Sequence, residues 1–288
     1  MATLRDIRRR IRSVQSTQKI TRAMKLVAAA KLRRAQERVL EARPYGAKLA
    51  ELVATLARGL GEDKHPLMAR RGSGRALYVI ITADKGLCGA FNANILRRSL
   101  DALRAAAEPT LIAVGRKARD FYRRRAWRIR ADRVGLLDRP TVADARALAA
   151  ELMRAFLDDQ VGEVWLVYNE FRSVAVQRVV LQRLLPIEPP ETADPGPGVD
   201  YLYEPDPASI LDALLPRHVE VQVYRALLES AAGEQGARMT AMEAATKNAQ
   251  EMIGALTLQY NKARQERITK ELLDIVGGAE ALRTSAEG

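Results

Sequence analysis

The sequence predicts a composite α+β/α-β fold: a long antiparallel two-helix coiled coil formed by the N- and C-terminal helices, plus a central α/β, Rossmann-like domain. Three observations predict it. Residues 1–60 and 208–288 repeat apolar and small side chains at alternating steps of three and four, the pattern of a helix committed to a partner helix. Between them, short apolar runs alternate with amphipathic stretches, as in a largely parallel sheet covered by helices. The two longest helical stretches are also the two ends of the chain, so pairing them with each other is the economical arrangement.

The first helix, in segment 1–60, starts at Thr3, which can cap it, with Asp6 three residues on. Its seam runs through Leu4, Ile7, Ile11, Val14, Gln18, Thr21, Ala28, Leu32, Ala35 and Val39, and no Pro precedes Pro44. Fifty residues of helix span about 75 Å, longer than a globular domain needs. In segment 75–187, strands are predicted at Ala76–Thr82, Thr110–Val114, Glu163–Asn169 and Gln177–Leu185, the last as a hairpin edge. Helices are predicted at Asn92–Ala107, Arg116–Arg125 and Thr141–Gln160. Segment 188–207 is rich in proline and reads as an exposed loop. In segment 208–288 no proline follows Pro216, and the seam steps through Leu228, Ala231, Gln235, Arg238, Met242, Ala245, Ala249, Met252 and Leu256. That seam is thin and interrupted by Gln235 and Arg238. The second helix is longer than the first, so its last turns should project without a partner.

Net charge is +12 with a pI near 10.1, so an acidic partner is expected: nucleic acid, an anionic membrane or an acidic protein surface. Met1–Arg58 holds fifteen Lys and Arg against four acids, which puts nearly all of the excess in the first fifth of the chain. An Arg-rich N-terminus has the composition of a targeting peptide, but the pattern runs on for about fifty residues, longer than such a segment needs. No apolar run is long enough to span a membrane. Cys88 is the sole cysteine, which rules out an intramolecular disulfide, and His65 and His218 are isolated and read as ordinary surface or packing residues.

The stretch TADKGLCGAFN, Thr82–Asn92, has the outline of a phosphate loop. It lacks the spacing of one: Gly86 and Gly89 are three apart, Lys85 precedes both, and no Ser or Thr follows to hold Mg²⁺. Two readings stay open, a strand-to-helix turn with glycines at positive φ and Asn92 near the N-cap, or an anion site at a helix N-terminus. Cys88 could act as a nucleophile if Lys85 and the helix lowered its pKa.

Four stretches together resemble the gamma subunit of the F-type rotary ATP synthase: IRSVQSTQKITRAMKLVAAAKLRRAQ, TADKGLCGAFN, DYLYEPDP, and EQGARMTAMEAATKNA with YNKARQERITKELLDIVGGAEAL. They lie in the family's order and spacing, from end to end, and the size resembles the bacterial form. The resemblance implies a central rotor shaft, non-catalytic itself and without a cofactor or bound nucleotide. It implies one copy set among three alpha and three beta subunits, with an epsilon subunit and a membrane c-ring as further partners and no nucleic acid. It also implies a peripheral position at the cytoplasmic face of the bacterial membrane.

The same resemblance assigns residues. Arg8, Arg9, Arg12, Lys19, Arg22 and Lys25, continued by Lys31, Arg33 and Arg34, would form a basic track beside an acidic lever of the beta subunits. Met24, Lys85 and Cys88 would touch beta, as would Arg264, Gln265 and Thr269 at a catch loop. Arg238 would lock the two long helices, through a polar partner such as Gln18 or Thr21. Tyr201, Tyr203 and Glu204 resemble the foot on the membrane ring. Leu272, Ile275, Val276 and Leu282 lie in an apolar tail that would turn as a bearing, and Gly277 and Gly278 weaken the helix there or end it.

A basic coiled-coil arm that binds nucleic acid would interleave aromatic residues with its charges, and the first helix has only Tyr45. An α/β enzyme would need catalytic side chains gathered at strand ends, and Asp84, Lys85 and Cys88 have nothing to complete them.

Overall fold

The computed structural model describes residues 3–60, 65–72, 74–174, 176–188, 204 and 206–286; for 58–60, 207 and 278–286 it describes the backbone only. The elements are α1 (Leu4–Leu60), β1 (Arg75–Ile81), α2 (Phe91–Ala105), β2 (Glu108–Val114), α3 (Arg116–Arg123), β3 (Ile129–Arg133), α4 (Val142–Leu157), β4 (Glu163–Phe171), β5 (Gln177–Leu185) and α5 (Pro207–Ala286). Two compact units result, Met1–Leu26 with Ala241–Gly288, and Val27–Thr240.

In the larger unit the sheet order is β3-β2-β1-β4-β5. β1 runs parallel to β2 and β4, and β5 returns antiparallel to β4 as the expected hairpin edge. Alternation along β1 divides the core. Leu77, Val79 and Ile81 face one cluster, with Leu148, Leu152 and Phe156 of α4, Leu49, Val53 and Leu56 of α1, and Leu215, Val219 and Val223 of α5. Ala76, Tyr78 and Ile80 face the other, with Ile95 and Leu103 of α2 and Tyr122 of α3. Each fully buried Leu, Ile or Phe contributes about 1.5–3 kcal/mol. α4 starts where its sequence says it should: Thr141 and Asp144 cap each other reciprocally.

β3 is absent from the sequence prediction. Its residues, IRADR, carry three charges in five positions, and only one side of this short edge strand has a neighbour, β2. The pattern that marks a buried strand is therefore missing. Pro44 and Pro216 both lie inside helices, where each ring leaves one carbonyl of the preceding turn without its N–H donor.

The burial of α5 shows why its seam looked thin. Residues 226–237 are buried without a break. Within this unit the helix lies against α1 on one side and the α2–β4–β5 end of the sheet on another, and small side chains allow that approach. A Cβ on Gly233 would stand 3.4 Å from Phe91 Cε2, and one on Gly236 would stand 3.5 Å from Phe171 Cε2. Leu32 and Val39 of α1 meet Leu228 and Ala232 of α5 there, with Phe171 from β4.

In the smaller unit α1 and α5 pair antiparallel. Partner numbers fall as α1 numbers rise: Arg8 with Tyr260, Gln18 with Gln250, Thr21 with Thr246, Lys25 with Glu243. The α1 seam is buried or half-buried at Ile7, Ile11, Val14, Gln18 and Thr21, as the heptad pattern predicts. The α5 seam follows the prediction at Met242, Ala245, Ala249 and Leu256, all buried or half-buried, and departs from it at one position. Met252 is 54% exposed, and Ile253 occupies the seam, following Met242, Thr246 and Ala249. From Ala249 both a step of three, to Met252, and a step of four, to Ile253, keep heptad spacing, so the sequence pattern does not choose between them. Gly277 does not end α5, which continues to Ala286.

Candidate interaction site

The loop between β1 and α2 is built from its own side chains. The Thr82 hydroxyl donates to Val114 O at 3.1 Å and accepts from Ala118 N at 2.8 Å. The Asp84 carboxylate accepts from Arg116 N at 2.8 Å through Oδ1 and from Gly135 N at 2.9 Å through Oδ2, which ties three loops together. Asn92 is not the N-cap. Ala90 holds that position without a side-chain bond, and Asn92 Oδ1 reaches back to accept from Ala83 N at 2.9 Å. Positive φ falls on Leu87 and Gly89 rather than on Gly86. Three backbone donors around the loop, Ala83 N, Arg116 N and Gly135 N, are thus taken by the protein's own amide and carboxylate.

Cys88 is 1% exposed. Burial pushes its thiol pKa up against the opposing pull of the nearby Arg238 charge, so it is no thiolate nucleophile. The expectation that Cys88 touches a partner is also corrected: as a small apolar side chain it packs under the loop, with Phe91, Ala83 and Ile95 in one cluster. The loop presents Lys85 and the 64%-exposed Leu87 instead. Leu87 is a surface residue that sequence reasoning missed; its signal was a large apolar side chain between two glycines.

Beneath the loop lies a buried ion pair. Arg238 Nη2 bonds Glu234 Oε1 at 2.7 Å and donates to Gly86 O at 3.3 Å. Burial raises the Glu234 pKa, opposed by the Arg238 guanidinium. Arg238 therefore holds Glu234 and the loop, not Gln18 or Thr21. A one-turn spacing on the same helix supplies the counter-charge directly, and Gln18 and Thr21 bond Gln250 and Thr246 instead. Nearby, Lys31 Nζ bonds Asp138 Oδ1 at 2.6 Å. That bond lowers the Asp138 pKa, with Lys85 and Arg238 adding to the effect.

The basic track divides in two. Arg8 lies over the Tyr260 ring at 5.3 Å, Arg9 pairs with Asp6, Lys25 with Glu243 and Arg33 with Glu37. Arg12, Lys19, Arg22 and Arg34 are exposed and have no ion-pair partner among the described residues. Met24 is half-buried, and Ile20, Leu26 and Val27 around it are exposed apolar side chains. A second basic stretch went unremarked in the sequence: residues 116–139 carry ten Lys and Arg against three Asp, offset in the total by acids elsewhere.

Arg264, Gln265 and Thr269 are exposed on α5. α1 begins at Leu4, opposite the stretch of α5 just past Tyr260, so the residues beyond have no helix to pair with. Leu272, Leu273, Ile275 and Val276 are 58–68% exposed. Leu282 lies on α5 with only its backbone described, and Tyr201 and Tyr203 lie outside the described residues. Glu204 is exposed.

A family model described as ATP synthase matches residues 3–282. The chain is 50% identical over 282 residues to the "ATP synthase gamma chain" of Desulforamulus reducens, covering 98% of this chain and 100% of that one. It is 52% identical over 285 residues to that of Moorella thermoacetica, with the same coverage. Among solved structures it is similar to a chain of the Tetrahymena thermophila mitochondrial ATP synthase central stalk and c-ring, at 25% identity and a TM-score of 0.59, over 78% of this chain and 99% of that one. A chain of the Euglena gracilis mitochondrial ATP synthase shares the fold at 22% identity and a TM-score of 0.71, over 99% of this chain and 96% of that one.

Proposed function

The chain belongs to the ATP synthase gamma family, as the central-stalk subunit, and from that premise we propose how its parts work. The paired helices α1 and α5 are the shaft of the rotor, one copy among three alpha and three beta subunits, with an epsilon subunit beside it. The chain is non-catalytic and binds no nucleotide. Proton flow through a membrane c-ring turns it, and its turning drives each beta subunit through its catalytic states. It works at the cytoplasmic face of the bacterial membrane as a peripheral subunit. No helix among the described residues is long and apolar enough to cross a membrane.

The observation that carries this reading is the unpaired end of α5. Four large apolar side chains exposed together on one helix are costly in water and mark a surface made for a sleeve. Leu272, Ile275, Val276 and Leu282 turn there as a bearing. Arg264, Gln265 and Thr269 contact a beta loop just below. Arg12, Lys19 and Arg22, without an ion-pair partner among the described residues, pass an acidic beta surface through contacts worth about 0–1 kcal/mol each; weak repeated contacts let a rotor move where deep ones would hold it. Arg8 and Lys25 brace the shaft as well as facing outward. Met24 touches the same lever with the apolar residues beside it. Lys85 meets acidic beta residues from the body. Tyr201, Tyr203 and Glu204 grip the ring. Segments 1–60 and 208–288 are the shaft, 75–187 the body and 188–207 the foot.

The test is co-purification from the native cell with an ATPase assay. Three alpha and three beta per copy of this chain are expected, with turnover lost when the chain is truncated after Arg267. Recovery of the chain without those subunits would refute the proposal.

A further inference from the structure

Within the unit Val27–Thr240 a groove of about 750 Å³ opens between α1 and α5, bounded by the start of α4 and the end of β4. That volume is in the range of small-molecule sites. Val39, Tyr45, Phe171, Val221, Tyr224 and Leu228 make its wall mostly apolar. The charged wall residues are three Arg–Glu pairs and Arg43. In each pair the carboxylate is the buried member and the guanidinium the exposed one. Side-chain exposure is 24% for Glu170 against 57% for Arg172, 17% for Glu220 against 56% for Arg217, and 1% for Glu229 against 47% for Arg225. A ligand entering the groove therefore meets the positive end of every pair. These guanidiniums also keep donors to spare. Arg172 and Arg225 each spend only Nε on a carboxylate, at 3.0 and 2.8 Å, and their Nη groups have no acceptor among the described residues. Glu220 is shared between Arg217 and Arg146. Arg43 is exposed and has no ion-pair partner among the described residues.

We propose that this groove binds a small amphipathic anion, a carboxylate carried on an aryl or alkyl chain. The apolar body lies between α1 and α5. The carboxylate head accepts from the unspent guanidinium donors, with Arg43, which has no carboxylate of its own, as the principal one; a planar guanidinium matches a carboxylate with two parallel hydrogen bonds. An ammonium of the same shape would find guanidiniums at the surface and carboxylates that are sunk beneath them and already paired. The site thus selects an anion over an amine. No residue of this wall is assigned to a partner of the rotor above.

The experiment is isothermal titration of the full chain with phenylpentanoate, phenylbutanol and phenylbutylamine, repeated on the purified complex with and without Ala47→Trp. Saturable binding of the carboxylate is expected, on the order of tenfold tighter than the alcohol at low salt, with the amine weaker still, and that advantage should shrink as salt is raised. Arg43→Gln should remove most of the advantage and leave the alcohol unchanged. Ala47→Trp, at an exposed position on the groove wall, obstructs the groove while keeping every charge, and should prevent binding of all three. A carboxylate that binds no tighter than the alcohol, or that is indifferent to Arg43→Gln, would overturn the proposal. So would unchanged carboxylate binding in Ala47→Trp, which would place the anion elsewhere on this basic chain. Uptake by the free chain with no difference between the two complexes would give the groove to a partner subunit and overturn it as well. The titration of the free chain does not depend on the rotor reading, so the two can fail separately.

Discussion

Gly115→Ala is the sharpest perturbation of the body's loop scaffold. Gly115 has φ +91, and a Cβ there would lie 2.0 Å from Thr82 O, 2.7 Å from Thr82 C and 2.9 Å from Thr82 Oγ1. Relief requires one strand end to move by about 1 Å, and neither is free to do so. Thr82 N bonds Val114 O at 2.8 Å and Gly115 N bonds Arg133 O at 2.7 Å, while Thr82 Oγ1 holds Ala118 N. The strained φ costs about 1–3 kcal/mol. Each buried bond broken adds about 1–3 kcal/mol. With one or two of them lost, the total is about 2–9 kcal/mol, a large share of the roughly 5–15 kcal/mol that stabilises a native protein. Urea unfolding of the full chain is the assay, read as a fall in midpoint at constant slope. Gly135→Ala is the control: its φ is +90, but nothing lies within 4 Å of the new Cβ, so only the strain of about 1–3 kcal/mol remains. A loss below about 1 kcal/mol at Gly115, or equal losses at the two sites, would refute the reasoning.

Three further outcomes follow from the same packing. Gly233→Ala should be neutral or stabilising by up to about 1 kcal/mol, because the Cβ finds ordinary contact at 3.4 Å and Ala is the better helix former; Gly233→Leu should destabilise strongly, and thermal melts separate the two. Arg238→Met should cost about 3–5 kcal/mol, since it strands the buried Glu234, and adding Glu234→Gln should recover much of the loss in a double-mutant cycle. Burial holds the His218 pKa below its ordinary 6.5. The unfolded state then takes a proton that the folded state refuses, so this contribution is complete above pH 6.5 and is lost as pH falls through 6.5 towards the folded value. Melting temperature should drop between pH 7.5 and 5.5, and His218→Phe should flatten that slope; His65, shifted the same way, leaves a residue of it.

The paired helices were legible where each shows one face to one neighbour, and the parallel strands because both of their faces are buried. The α1 seam from Ile7 to Val39 is one-sided, so its period survives in the sequence. β1, β2 and β4 are apolar runs because both faces are covered. Legibility failed where neighbours are on several sides or on only one edge. Residues 226–237 of α5 are buried all round, yet Glu229, Glu234 and Gln235 made that stretch look half-exposed; arginines one turn away on the same helix neutralise the two acids. β3 has a partner on one edge and keeps its charges. Arg238 was placed on the right helix but given the wrong partner, because a lateral contact to Gly86 O depends on a loop 152 residues away. Cys88 was placed on the surface because a small side chain in a glycine-rich loop carries no signal of burial.

The central claim is that this chain turns while its partners hydrolyse ATP. Asp101 is exposed on the outer side of α2, and Cys88 is buried, so Asp101→Cys offers one accessible thiol for a gold nanorod. With the purified complex fixed through its alpha or beta subunits, polarised scattering from the rod reports orientation after ATP is added. The account predicts rotation in one direction that ceases when ATP is exhausted. A rod that stays still while the same labelled complexes hydrolyse ATP at full rate would contradict it.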